Sequence, residues 1–212
     1  MSRTSTAPFA GEGLLRRFRR RGALLEGHFL LSSGLHSPLY FQSALLLQHP
    51  REAAAAGSAL AVRVREALAG APPGPAAPVV VSPALGGLIV GHELARALGS
   101  RAVFAERREG RLTLRRGFRV DPAEPAVVCE DVITTGGSAR EVAELLRADG
   151  ARVVAVAALI QRGPEAAELG VPLVTLARLE APAYSPASCP LCAAGSRPVK
   201  PGSRGTNAPG GL

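Results

Sequence analysis

The stretch VVCEDVITTGGSAREV, residues 127–142, constrains the fold of this chain more than any other. An apolar run ends in two adjacent acids, Glu130 and Asp131, and a short Thr- and Gly-rich loop then opens a helical pattern. Continuous apolar runs fit strands buried on both faces, as in parallel sheets. The acids fall at the carboxyl end of the strand, where open parallel sheets bind ligands. In Thr134-Thr135-Gly136-Gly137-Ser138 the glycines let backbone approach a ligand closely. Free N–H groups and the dipole at the helix start favour an anion there. Carboxylates beside a phosphate repel it unless ribose hydroxyls or Mg²⁺ stand between them. The combination therefore points to a ribose phosphate. The loop has neither the P-loop nor the dinucleotide spacing. An ordinary strand-to-helix turn capped by Ser or Thr is the plainer alternative.

The rest of the chain supports an α/β reading. Leu14, Leu15 and Phe18 recur at helical spacing, with arginines on the other faces and an end near Gly22. The run Arg19-Arg20-Arg21 reads as a solvated helix face, with nucleic acid as the alternative. Residues 27–47 mix apolar runs with Ser, Gly and Pro and predict short strands and turns. A helix is expected over 51–69, and the prolines of 70–78 end it. Strands follow at 79–82, 101–106, 126–130, 152–160 and 172–176, with helices at 87–98 and 137–148. This alternation predicts a central, mostly parallel sheet with helices on both faces. Residues 1–10 are expected to be disordered, 11–195 to form one domain with a small N-terminal hood over 22–47, and 196–212 to be a mobile tail.

The 212 residues carry a net charge of +8, and Lys200 is the one lysine among 25 basic residues. A basic balance suits phosphorylated small molecules or nucleic acid and does not choose between them. The arginines are scattered and aromatics are few, so no specific nucleic-acid partner is expected. Cys129, Cys189 and Cys192 make no disulfide framework. A structural zinc wants four ligands and Cys189 and Cys192 supply two, so a site there could be completed only by a histidine or another subunit, and no metal site is expected. His28 and His36 are assigned to packing or hydrogen bonding. Without an apolar leader or a membrane-length run, a soluble cytoplasmic protein is expected.

Glu130 to Ser138, EDVITTGGS, resembles the 5-phosphoribosyl-1-pyrophosphate (PRPP) signature of type I phosphoribosyltransferases. Three further stretches resemble the branch that uses orotate: HFLLSSGLHSPLYF (28–41) its hood, SPALGGLIVGHELARAL (82–98) its pyrophosphate loop, and FAERREGRLTLRRGF (104–118) its mobile catalytic loop. The C-terminal YSPASCPLCAAGSRPVKPGSR also resembles some bacterial members.

The resemblance implies the type I fold, Mg²⁺ as cofactor, PRPP and orotate as substrates, and a homodimer sharing catalytic loops. It implies that Glu130, Asp131, Val132, Ile133, Thr134, Thr135, Gly136, Gly137 and Ser138 bind PRPP, together with Arg107, Arg108 and Arg111. Thr134 and Arg162 would contact orotate, and Arg107, Arg108 and Arg111 would act with Asp131 in catalysis. The family often has lysine at two of the loop positions; Thr113 stands where many members have histidine, and Ser32 and Leu35 also depart from its pattern. A surface arginine at a strand end and a solvated charged hairpin are the plain alternatives for Arg162 and for 104–118. A transferase for another base, or a PRPP-binding regulator of RNA with this fold, are the alternatives for function.

Overall fold

A computed structural model describes residues 9–31, 33–70, 77–122, 124–163 and 168–201. Val79, Val80 and Val81 are all fully buried, as are Ala126 to Cys129. Neighbours in a strand point to opposite faces, so such strands need a packed layer on each side. The six strands are ordered β5-β4-β3-β6-β7-β8: β3 Val79–Pro83, β4 Ala102–Arg108, β5 Arg111–Leu114, β6 Pro125–Ile133, β7 Arg152–Arg162 and β8 Leu173–Leu179. All neighbours pair parallel except β4 and β5.

One face of the sheet, with Val80, Val127 and Ala157, packs on α1 (Glu12–Arg20), α3 (Pro50–Leu68) and α4 (Gly87–Leu98) through Phe18, Leu60 and Leu94. The other face, with Val81, Val128 and Val156, packs on α5 (Gly137–Ala148) through Val142 and Leu146. Close approach of α3 and α4 depends on Gly57, where a Cβ would lie 2.6 Å from the Glu93 backbone. The arginines at the end of α1 are held by protein acids: Arg17 and Arg21 pair with buried Glu52 at 2.7 and 2.9 Å, and Arg19 with Glu12 at 2.6 Å. The solvated face expected at Arg19-Arg20-Arg21 is therefore partly an ion-paired seam between α1 and α3.

The hood is a separate antiparallel pair, β1 (Leu24–Leu30) and β2 (His36–Phe41), followed by the short α2 (Ser43–Leu47). Two expectations need correction. Residues 196–201 do not hang free: the Val199 N–H donates to the His28 carbonyl, and the Leu30 N–H donates to the Val199 carbonyl, at 2.8 and 2.9 Å. At the other end Phe9 is buried beneath the Arg17 guanidinium, so the ordered chain already includes the last residues of the 1–10 segment. Ser32, most of the 70–78 loop and residues 202–212 lie outside the described residues.

Candidate active site

Strand β6 is flanked by β3 and β7, so its carboxyl end lies at the middle of the sheet edge. Glu130 and Asp131 occupy that end, and the chain then turns through Thr134 and Thr135 into α5. Gly136 makes the turn with φ +74°, a left-handed conformation costly for other residues. The first amides of α5 are thereby aimed out of the sheet edge, with no side-chain cap competing for them. Beside the acids runs the loop from β3 to α4. A Cβ on its Gly86 would lie 2.6 Å from Asp131 Oδ1, so glycine permits the contact.

A cavity of about 1360 Å³ opens above these elements. Glu130, Asp131, Val132, Thr134, Thr135 and Ser138 line its base; Leu30, Leu31, Leu35 and Tyr40 of the hood form one wall. Arg162 from the end of β7 and Lys200 from the C-terminal segment complete it. Burial, reinforced by the charge of Asp131, lifts the Glu130 carboxyl to about 8. Burial also raises Asp131, and burial together with the Asp131 charge raises the Tyr40 phenol. Arg162 is 7% exposed as a residue, and burial lowers its pKa. It donates from Nη2 to Ser37 Oγ at 2.5 Å, while its buried Nε has no hydrogen-bond partner among the described residues. A buried guanidinium in the cavity lining, only partly satisfied by Ser37, suits a planar anion such as a carboxylate. The site thus offers an anion cradle, two hydroxyl-seeking acids and an anion clamp.

Of the residues expected from sequence, Glu130, Asp131, Val132, Thr134, Thr135, Ser138 and Arg162 share this cavity. Ile133 packs on the α5 side, and Gly136 and Gly137 shape the turn without lining the cavity. Arg107, Arg108 and Arg111 are not brought there. The 104–118 stretch is largely an antiparallel hairpin, β4 with β5, at the edge of the sheet. Arg107 pairs with Glu141 of α5 at 3.0 Å and Arg108 with Glu109 at 3.3 Å. Sequence reasoning singled out neither Tyr40 nor Lys200; the one lysine of an arginine-rich chain was the available signal for the latter. It left Cys189 and Cys192 two ligands short of a metal, to be completed only by a histidine or another subunit; the structure brings His28 and His36 beside them.

Residues 43–169 match the phosphoribosyl transferase domain family, which defines the class of protein this fold and cradle belong to. The chain is 49% identical over 201 residues to an orotate phosphoribosyltransferase of Nitratiruptor, covering 89% of this chain and 96% of that one. It is likewise 49% identical to one of Heliobacterium modesticaldum, over 88% and 95% of the two chains. Among solved structures, an orotate phosphoribosyltransferase from Aeropyrum pernix superposes with a TM-score of 0.62 at 30% identity, over 78% of this chain and 93% of the other. The chain belongs to the phosphoribosyl transferase family and, within it, to the orotate phosphoribosyltransferases. No described helix is long and apolar enough to cross a membrane.

Proposed function

We propose that the chain transfers the ribose 5-phosphate of PRPP to a ring nitrogen of orotate. The anomeric C–O bond to pyrophosphate breaks, the C–N bond forms, and the products are orotidine 5′-monophosphate and pyrophosphate. The observation that carries orotate as the base is Arg162. It is a buried guanidinium with an unsatisfied Nε, placed in the same cavity as the phosphate cradle. Its fork matches a carboxylate, which a purine base lacks.

In this reading Thr134 to Ser138 hold the 5′-phosphate, and Glu130 and Asp131 lie along the ribose hydroxyls. Thr134 contacts the base edge. The two carboxylates are hard oxygen donors of the kind Mg²⁺ takes, and a cation would offset the burial and then the mutual repulsion that raise Glu130. Bound there, Mg²⁺ would neutralise charge on the pyrophosphate. Catalysis rests on positioning and on stabilising the leaving group. Arg107, Arg108 and Arg111 act on pyrophosphate from the partner subunit of a cytoplasmic homodimer. Their distance from this chain's own cavity, on an exposed edge hairpin, supports that division.

The test is depletion of orotate absorbance with PRPP and Mg²⁺. Arg162→Ala is expected to lower kcat/KM for orotate about a thousandfold, as truncating one partner of a buried charge pair does. PRPP binding, followed by calorimetry, should persist. Wild-type protein that binds PRPP without consuming orotate would move the substrate to another base.

A further inference from the structure

At the hood, among residues that do not line the cavity, four ligand-type side chains converge. His28 lies on β1 and His36 on β2, joined across the hairpin. Cys189 and Cys192 lie three residues apart at a short helix, α6 (Pro190–Ala193), and so face the same way. Their four donor atoms all lie within 4.8 Å of one another, and all but Cys192 are buried. His28 Nε2 is 3.1 Å from His36 Nδ1. Cys189 Sγ is 3.5 Å from His28 Nε2, and Cys192 Sγ is 3.4 Å from His36 Nδ1 and 3.9 Å from His28 Nε2.

We propose that His28, His36, Cys189 and Cys192 form a structural zinc site that clasps the C-terminal segment to the hood. A tetrahedron with ordinary Zn–N and Zn–S bonds has edges of about 3.3 Å between nitrogens and about 3.6 Å between nitrogen and sulfur. The observed separations are close to those edges. Two imidazoles and two thiolates are a soft, tetrahedral N₂S₂ set, which selects zinc over the hard cations. Two thiolates also balance the charge of the ion, as a buried site requires.

The surroundings fit as well. His28 Nδ1 lies 3.2 Å from Ser196 Oγ, so the ring can donate there and leave the Nε2 lone pair for a metal. The backbone already brings both strands to the site. Val199 bridges β1, and the His36 and Tyr184 backbones exchange hydrogen bonds of 2.8 and 2.9 Å. The same C-terminal segment places Lys200 in the cavity lining, beside the hood residues Leu30 and Leu35 that also line it. Zinc would therefore hold the C-terminal part of the cavity lining against the hood without touching substrate.

The untagged protein, purified without chelator, should carry about one zinc per chain by mass spectrometry of metals. Cys189→Ser with Cys192→Ser should lose it, while Cys129→Ala, altering the third thiol inside the sheet, should keep it. If the double variant fails to fold, cobalt provides the second arm on unaltered chain. Chelated protein given Co²⁺ should show intense tetrahedral bands in the red and thiolate-to-cobalt absorption in the near ultraviolet. Protein isolated metal-free with a Cys189–Cys192 disulfide, zinc retained by the double variant, or octahedral cobalt spectra would each overturn the site.

Discussion

Glu130→Gln should stabilise the protein, and increasingly so as the pH rises. The Glu130 carboxyl titrates near 8 in the folded chain, because burial and then the Asp131 charge oppose its ionisation, and near 4.5 when unfolded. Between those values the folded state holds a proton that the unfolded state has released. Stability contributed by the protonated form is therefore complete below the unfolded value and is lost as pH rises to the folded one. From about pH 6 to about pH 8 the loss is two units at about 1.4 kcal/mol each, a ceiling of about 3 kcal/mol. Water at the open cavity screens part of it, leaving about 1–2 kcal/mol. Glutamine keeps the shape and carries no charge at any pH. Urea unfolding of both proteins at about pH 6 and about pH 9 isolates the effect, since titrations of groups not coupled to Glu130 cancel in the difference. The advantage of the variant should widen by about 1–2 kcal/mol across that range, with PRPP turnover sharply reduced throughout. Parallel pH profiles would refute the reasoning, because they would mean an ordinary carboxyl in solvent contact.

Gly57→Ala should destabilise despite the higher helix propensity of alanine, worth about 1 kcal/mol. The new Cβ would lie 2.6 Å from the Glu93 backbone, so α3 and α4 must part, and a net loss of about 1–2 kcal/mol is expected in urea unfolding. A stabilised variant would mean the two helices are not in that contact. Co-expressed Arg108→Ala and Arg162→Ala chains, each inactive alone, should recover about a quarter of wild-type activity if the hairpin serves the neighbouring site of a twofold dimer. Activity no higher than that of the parents would place the loop within its own subunit.

What the sequence makes legible here depends on how local the determining physics is. The cradle could be read because every part of it is contiguous: acids, glycines, hydroxyls and helix start all fall within 130–138, and local backbone geometry alone aims them at one point. The strands could be read for a related reason, since a run such as Val79-Val80-Val81 has only one stable place, between two layers. Arg162 could be placed at a strand end, but its empty Nε becomes visible only once Ser37, 125 residues earlier, occupies Nη2. The second strand of the hairpin, β5, was obscured by charge: an edge strand needs only one buried stripe, and in β5 only Leu112 is buried, beneath a surface of arginines. The histidines and cysteines mark the limit most sharply. Each pair looks incomplete by itself, two ligands short of a metal, and 153 residues separate His36 from Cys189. Only the return of the C-terminal segment along both edges of the hood, a set of main-chain bonds with no side-chain signature, turns two unremarkable pairs into one tetrahedral set.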